Sequence, residues 1–264
     1  MKNLMIAAAL TLAAATTVNA ATCGNDASGF DRWKQQFANE AAAQGVGQRG
    51  QQALAATRYA TRTIKADRNQ KSFRYSLDDF MRIRGADTIV AQGKRRIARN
   101  PAFYNSLEAA YGVPASVIVA IHGMETGFGN FMGDANVVSA IATLAYDCRR
   151  SEFFSRHAMD ALKLVDRGSL SANTRGAMHG EVGHTQFLPG NVLRYGVDGD
   201  GNGVVDLTNV TDSLASTANF LRQKGWKTGQ GYQEGQRNFR VIQEWNAAGV
   251  YQKAIAIMAA RIDS

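Results

Sequence analysis

The sequence has little of several features that would mark a particular class of protein. It holds only three prolines and no low-complexity block, which argues against proline-rich linkers. It has two cysteines and four histidines, and neither an H-E-x-x-H nor a C-x-x-C motif occurs. Strand-like runs are scarce. With 45% hydrophobic and 20% charged residues over 264 positions, disordered, collagenous and polytopic membrane proteins are excluded, and a sizeable core is expected.

Acidic residues are the minority among the charges. The chain has 30 lysines and arginines against 22 aspartates and glutamates, which gives a formal net charge of +8. Such a surface favours polyanions, whether nucleic acid, anionic lipid or an acidic wall polymer. Charge alone does not choose among these partners.

The first 20 residues have the three parts of a secretory signal peptide. Lys2 supplies the positive charge, residues 4–15 form an apolar run, and Val18-Asn19-Ala20 is a small-residue cleavage site. The run is too short to span a bilayer as an anchor. Cys23 raises the alternative of a lipoprotein, but the residues before it lack the leucine that lipid attachment prefers. We therefore expect an exported, periplasmic protein without a membrane span.

The two cysteines, Cys23 and Cys148, are both retained after such a cleavage. An even pair in an oxidising compartment indicates one disulfide between the start and the middle of the chain. The alternative is two free, buried thiols. Neither interpretation makes these cysteines catalytic.

Apolar residues recur mainly at helical spacing. Phe30, Trp33, Phe37 and Ala41 form one such face. After Pro114 nearly every residue is apolar as far as residue 124, which is typical of a helix buried on most faces. The fold class expected is mainly α with little strand. Further helices are expected at 101–111, 137–146, 152–165, 212–224 and 252–262, with a loop at 225–238.

One carboxyl group stands in the glycine-rich segment GMETGFGNFMG. Glu125 lies in the last turn of the apolar helix, beside Met124 and Phe128. The negative end of the helix dipole and an apolar wall both disfavour ionisation there. A carboxyl kept protonated near neutral pH is what a general acid in glycosidic cleavage requires. The plainer alternative is a glutamate exposed at a helix end.

The segment DGDGNGVVD, residues 198–206, has the pattern of a cation-binding loop. Asp198, Asp200 and Asn202 alternate, and the backbone carbonyl of Val204 occupies the seventh place of an EF-hand. The twelfth place is Asn209 rather than glutamate. The pattern favours a structural Ca²⁺ or Na⁺, against a glycine-rich turn without an ion.

Five blocks run in order along most of the chain: PASVIVAIHGMETGFGNFMG (114–133), AIATLAYDCRRSEFF (140–154), GHTQFLPGNVLRYGVDGDGNGVVDL (183–207), NFLRQKGW (219–226) and EWNAAGVY (244–251). Together they resemble the membrane-bound lytic murein transglycosylase B family, glycoside hydrolase family 103. The resemblance implies a lysozyme-like fold and peptidoglycan glycan strands as substrate. It also implies cleavage without water to a 1,6-anhydromuramoyl end, with Glu125 as the single catalytic acid and base and no cofactor for catalysis.

The resemblance also implies further site residues. A longer metal loop, residues 198–212, would be closed by Asp212 at the fifteenth place. Its ligands would be Asp198, Asp200, Asn202, Val204 and Asp212. Substrate contacts carry over to the residue pairs Arg149 and Arg150, and Gln186 and Phe187, and to Trp245, Asn246 and Tyr251 of the last block.

The segment from Gly176 to Gly183 departs from the family pattern. Ala177 removes a hydroxyl that would help to orient the substrate acetamido group, and Glu181 is introduced near Gln186. If Glu181 faces the cleft, it is a further substrate contact and opens a hydrolytic, lysozyme-like outcome. The alternative is a local hydrogen bond or ion pair in a tight turn.

Three competing functions stay open. They are a hydrolysing muramidase, a zinc hydrolase using His122, His179 and His184, and a non-catalytic wall-binding module. The expected organisation is a helical region at 21–105 packed on a lysozyme-like core at 106–264. We expect a monomer that binds peptidoglycan strands and no nucleic acid.

Overall fold

The computed structural model describes residues 20–69 and 75–264, so the predicted signal peptide lies outside the described residues except for Ala20. A short 3-10 helix, Ala27–Gly29, precedes the first α-helix. The α-helices of these residues are α1 Phe30–Ala43, α2 Gln48–Ala55, α3 Thr61–Arg68, α4 Leu77–Ile83, α5 Ala86–Arg99, α6 Pro101–Tyr111, α7 Ala115–Thr126, α8 Val137–Tyr146, α9 Ser151–Arg167, α10 Pro189–Tyr195, α11 Val210–Gln223, α12 Phe239–Trp245 and α13 Gly249–Asp263.

Extended structure is confined to a very small sheet within the described ranges. Strands β1 (Ala135–Asn136) and β2 (Arg175–Gly176) pair antiparallel, with Ala135 opposite Gly176. The predicted fold class, mainly α with little strand, is therefore confirmed.

Helix α7 lies at the centre of the molecule. Its residues Val117 to Ile121 are fully buried, and it packs against α5, α6, α11 and α13. A helix with apolar residues on every face can be stable only with neighbours on every side, which explains this position. The helix ends where Gly127 adopts φ +56°, a left-handed conformation that glycine takes without strain. This end places Glu125 at the edge of the core.

A second group of helices packs beside the first. Helices α8 and α9 pack on each other, α2 covers both, and α10 lies on α9 and α11. Trp33 and Phe37 of α1 stack with ring centroids 4.7 Å apart, and both are buried. The long helix α9 therefore has one face in the core and the other towards solvent.

A disulfide joins Cys23 to Cys148, as the two-cysteine count predicts. Backbone hydrogen bonds support it on both sides, because Gly24 N–H donates to Tyr146 O (2.9 Å) and Cys148 N–H donates to Gly24 O (3.1 Å). The start of the described chain is thus fastened beside the end of α8.

The helices before residue 105 pack on later ones. Helix α5 contacts α7 and α13, and α4 contacts α13. A boundary at residue 105 between a helical region and a core stays a prediction. Among the described residues, no single helix is long and apolar enough to cross a membrane; α6 and α7 reach that length only as a pair bent by 107°.

Candidate active site

Glu125 receives two hydrogen bonds on one carboxyl oxygen. Trp245 Nε1–H at the end of α12 donates to Oε1 over 2.9 Å, and the Tyr251 hydroxyl in α13 donates to the same atom over 2.5 Å. Helix α13 packs on both α7 and α12, and this packing brings the three side chains together. Oε2 of Glu125 is left without a protein donor among the described residues.

The surroundings of Glu125 favour the protonated form of its carboxyl group. Burial raises its pKa, and the negative charge of Glu181 acts in the same direction. The hydrogen bonds from Tyr251 and Trp245 and the charge of Arg84 lower the pKa but do not outweigh burial. Tyr251 is itself buried, and burial together with the Glu125 charge raises its pKa well above the ordinary value. The arrangement therefore shifts Glu125 towards the protonated form that an acid needs and places it beside a phenol that stays neutral.

A cleft of about 530 Å³ opens over Glu125. The aromatic side of the cleft is a cluster in which Phe187 packs edge-on against Trp245 and Phe220, with ring centroids 5.3 and 6.1 Å away. Such rings present apolar faces to a sugar. Six of the predicted site residues line the cleft: Glu125, Glu181, Gln186, Phe187, Trp245 and Asn246.

Gln186 adopts a backbone conformation that is uncommon for a residue other than glycine, with φ +58°. Its side-chain Nε2–H₂ donates to Gly183 O (2.8 Å) and to Met132 O (3.4 Å). With its two donors directed at the protein, the amide oxygen is the group that can accept a hydrogen bond in the cleft. Strain at such a position is common where a side chain must be aimed at a ligand.

Glu181 faces the cleft and also makes a local contact. Its Oε2 accepts a hydrogen bond from His179 N–H (3.2 Å), and Oε1 lies 3.7 Å from His179 Nδ1. Ala177, His179 and Glu181 all line the cleft. Both interpretations drawn from the sequence thus describe part of the geometry: Glu181 is held in a tight turn and is open to the cleft.

Three of the residues predicted to contact substrate do not line the cleft. Tyr251 is buried behind Glu125. Arg149 and Arg150 form ion pairs with the buried carboxylate of Asp67 in α3. His179, which lines the cleft, has its Nε2 4.0 Å from Asp67 Oδ1. The two arginines therefore pair with a residue that lies next to the cleft lining. Their role as substrate contacts stays a prediction.

Comparison with known proteins decides the family. The family model described as "Transglycosylase SLT domain" matches residues 29–235, which is more than half of the chain. The chain belongs to the transglycosylase SLT domain family. The resemblance found in the sequence is thereby confirmed.

Relatives of this SLT domain chain include membrane-bound lytic murein transglycosylase B of Escherichia coli K12, which is 35% identical over 136 residues. That match covers 48% of this chain and 38% of the relative, so the chain spans less than two thirds of the length of the curated relative it matches. The crystal structure of SltB3 from Pseudomonas aeruginosa in complex with NAG-anhNAM-pentapeptide superimposes with a TM-score of 0.82 at 28% identity, covering 89% of this chain and 80% of SltB3.

The fold is shared with a further solved structure. Escherichia coli lytic transglycosylase Slt35 in complex with calcium matches with a TM-score of 0.76 and 22% identity, covering 92% of this chain and 96% of Slt35. At this identity the likeness shows the fold alone. The lysozyme-like fold class expected for the SLT domain chain is confirmed.

Some residues of the site were not singled out from the sequence. Asn191 and Glu244 line the cleft. Arg84, at the end of α4, carries a positive charge that lowers the pKa of Glu125. Asn191 lies inside the block at 183–207 and Glu244 begins the block at 244–251, so the blocks themselves were the available signal. Nothing in the local sequence marks Arg84.

The predicted metal loop brings three carboxylates together. Oxygens of Asp198, Asp200 and Asp212 lie within 4.8 Å of one another. Asp212 is fully buried and accepts hydrogen bonds from the backbone N–H groups of Gly199 (2.9 Å) and Asp206 (2.8 Å). An all-oxygen donor set of this charge suits a hard cation such as Ca²⁺. The residues present therefore fit the ion that the sequence pattern indicates.

The histidines do not form a zinc site. His122 Nε2 lies 3.0 Å from His184 Nδ1, and burial lowers the pKa of His122 to about 3. His179 instead lies by Glu181 and Asp67. Across the described ranges, the one group of three or more His, Cys, Asp or Glu ligands is the aspartate cluster of the metal loop.

Proposed function

We propose that the chain is a lytic transglycosylase that cleaves the β-1,4 bond between N-acetylmuramic acid and N-acetylglucosamine in peptidoglycan and leaves a 1,6-anhydromuramoyl end. The observation that carries the proposal is the partly buried Glu125, held by Trp245 and Tyr251 at the floor of a cleft. Membership of the SLT domain family supports the reaction, and the SltB3 complex with NAG-anhNAM-pentapeptide supports the substrate class.

In the first step Glu125 acts as the acid. Because Oε1 already accepts two hydrogen bonds, the proton of the neutral carboxyl group resides on Oε2, which is free to donate. Oε2 protonates the glycosidic oxygen, the bond from that oxygen to the anomeric carbon breaks, and N-acetylglucosamine leaves as the alcohol. Positive charge develops at the anomeric carbon.

In the second step Glu125 acts as the base. The carboxylate takes the proton of the muramoyl C6 hydroxyl while that oxygen bonds to the anomeric carbon, so no water is consumed. Trp245 and Tyr251 stabilise the carboxylate between the two steps, since charge-assisted hydrogen bonds are roughly twice as strong as neutral ones. One residue thus serves both proton transfers, and a second catalytic carboxylate is not needed.

Substrate binding is proposed for the residues that line the cleft. The free amide oxygen of Gln186 accepts the acetamido N–H of a sugar, and the cluster of Phe187 and Trp245 packs on a sugar face. Asn246 holds the turn before α13, because its Oδ1 accepts from Ala248 N–H (2.9 Å), and its Nδ2 is left for substrate. Ala177 cannot assist the acetamido group, which leaves Gln186 as its main polar contact.

The proposed location is the periplasm, where the substrate lies and where the Cys23–Cys148 disulfide forms. We propose a monomer whose net positive charge assists binding to the carboxylates of the wall polymer. A Ca²⁺ ion in the 198–212 loop, held by Asp198, Asp200, Asn202, the Val204 carbonyl and Asp212, would stabilise the loop and take no part in the reaction.

The decisive experiment is mass spectrometry of the muropeptides that residues 21–264 and their Glu125→Gln variant release from purified peptidoglycan. We expect anhydromuramoyl products from the wild type and none from the variant. Cleavage of equal extent by both proteins would contradict the role of Glu125. No release by a folded wild type would leave a wall-binding module instead.

A hydrolysing muramidase is the second candidate, and one observation favours it. Glu181 faces the same cleft as Glu125, and its charge raises the Glu125 pKa. A second carboxylate in reach of the cleft can activate a water molecule. Reducing-end products in the same experiment, lost in Glu181→Gln, would establish this reaction.

A further inference from the structure

A second cavity adjoins the cleft and is larger, at about 670 Å³. It lies between α1, α9 and α10. Leu188 and Asn191 line both spaces, so the two share a wall at the start of α10. A ligand chain that leaves the cleft past Leu188 enters this second cavity.

The cavity contains a carboxyl group without a partner. Asp160, on α9, is about half buried, and within the part of the chain that the structure describes it makes no hydrogen bond or ion pair. Burial raises its pKa, and the positive charges of Lys163 and Arg194 oppose that shift. Partial burial reduces the hydration of this carboxylate, and no hydrogen-bond donor among the described residues replaces the lost water. A cationic group placed against Asp160 would compensate for the lost hydration.

A cation lies across the same cavity. Arg194 of α10 is exposed and lines the cavity. Its positive charge acts to lower the pKa of both Asp160 and His157. Arg194 and Asp160 are not within ion-pair distance of each other, and the described residues give Arg194 no other carboxylate. Two further charged residues line the cavity, but Glu40 accepts a hydrogen bond from Ala21 N–H and Arg156 pairs with Glu152. Asp160 and Arg194 are therefore the anion and the cation of the lining whose side chains form no ion pair or hydrogen bond among the described residues, a pattern complementary to a zwitterion.

His157 and Phe153 also line the cavity. Gly190 N–H donates to His157 Nδ1 over 3.1 Å, which places the ring proton on Nε2 as a neutral donor. Phe153 is 41% exposed, and its ring contacts the His157 ring at 4.7 Å. The lining thus offers a donor for a carbonyl or carboxylate and an apolar face for methyl groups.

We propose that this cavity binds the stem peptide of the glycan strand in the cleft, with a free side-chain amine against Asp160 and a free carboxylate against Arg194. The inference rests on the proposed function for the substrate class, and goes beyond it by assigning a peptide site outside the sugar cleft. The peptide reaches the site past Leu188 and Asn191, which line both spaces. The site would make the enzyme selective for strands whose stems end in a zwitterionic residue.

Binding can be tested apart from catalysis. The probe is the tripeptide alanyl-γ-glutamyl-diaminopimelate, whose last residue carries a free amine beside a carboxylate, titrated calorimetrically into residues 21–264. We expect saturable binding that weakens about tenfold in Asp160→Asn and in Arg194→Gln, because each removes one charged contact. Asp87→Asn makes the same chemical change at an exposed carboxylate outside the cavity and should leave binding unchanged. Acetylating the side-chain amine of the probe should remove the effect of Asp160→Asn.

The outcomes separate this inference from the proposed function. No saturable binding, or equal binding by wild type and both cavity variants, would overturn the peptide site even if glycan strands are cleaved. Binding with the expected losses upholds the site even if no strand is cleaved, and then only the transglycosylase proposal fails. Arg194 is exposed, so Arg194→Gln still reports on the site if Asp160→Asn fails to fold.

Discussion

The hydroxyl of Tyr251 lies 2.5 Å from Oε1 of Glu125, although 126 residues separate them in the chain. The contact joins the end of the central helix to the last helix of the described chain. It ties the protonation of the Glu125 carboxyl to the packing of α13, and this link can be measured.

Tyr251→Phe removes that donor and keeps the ring. The Glu125 carboxylate loses a stabilising hydrogen bond, so its pKa should rise further. We expect kcat on purified peptidoglycan to fall about tenfold, and the alkaline limb of the pH profile of kcat/KM to move to higher pH. The control is Tyr104→Phe, which makes the same change at a buried tyrosine of α6. An unchanged pH profile would show that Tyr251 does not act on Glu125.

Glu125→Gln should abolish activity and raise stability above neutral pH. The folded state holds the Glu125 proton more tightly than the unfolded state, since burial raises its pKa. The wild type therefore has its full stability below the unfolded pKa of about 4.3 and loses part of it as pH rises through the folded pKa. The glutamine of the variant does not titrate, so the variant does not lose stability at this position as pH rises. Thermal unfolding of both proteins from pH 4 to 9 should show a Tm difference that grows with pH, and a constant difference would contradict the assignment.

Replacing both Cys23 and Cys148 by serine should lower stability while the cleft stays intact. The disulfide closes a loop of 125 residues, for which the loss is about 2–4 kcal/mol in the free energy of unfolding. Urea unfolding with and without reductant checks this. Reductant should bring the wild type to the stability of the double variant and leave that variant unchanged.

Asp212→Asn should remove the response to calcium. Ca²⁺ bound to the folded state raises Tm in proportion to the logarithm of its excess over Kd, so adding Ca²⁺ after chelation should raise the Tm of the wild type. Asp87→Asn is the control, because that carboxylate is exposed, pairs with Arg261 and lies outside the loop. A Tm of the wild type that does not respond to Ca²⁺ would exclude the ion.

Asp67→Asn should destabilise the protein more than an exposed ion pair would. It leaves the guanidinium groups of Arg149 and Arg150 without their carboxylate. Since both arginines are more than a third exposed, we expect a loss of about 1–3 kcal/mol in the free energy of unfolding. Asp134→Asn should cost less, because its pair with Arg62 is exposed. Chemical unfolding of both variants gives the comparison, and equal losses would mean that the burial of Asp67 is unimportant.

Local signals in the sequence were enough to predict much of the fold. The helix at 137–146 and the end of α7 before Gly127 follow from periodicity and glycine position, and these depend on neighbours within a few residues. The Cys23–Cys148 bond follows from there being only two cysteines. Glu125 could be singled out because its apolar helix and its glycine-rich end adjoin it in sequence.

Contacts between distant segments could not be predicted in this way. Nothing near Asp67 indicates that two arginines from beyond α8 will pair with it, and nothing near Arg84 connects it with Glu125. The family's blocks placed Tyr251 at the site as a substrate contact, but only the packing of α13 on α7 shows that its hydroxyl donates to the Glu125 carboxyl. Such pairs depend on how helices pack, which periodicity does not encode.

The disulfide loop contains Glu125 but neither of the residues that donate to it. Glu125 lies between Cys23 and Cys148, whereas Trp245 and Tyr251 follow the loop in sequence. The covalent loop thus closes without any residue of α12 or α13. The Glu125 carboxyl group receives its two hydrogen bonds only when these two helices have packed in place. If the proposed function holds, a shortened copy that keeps the disulfide but lacks these helices would not cleave the wall.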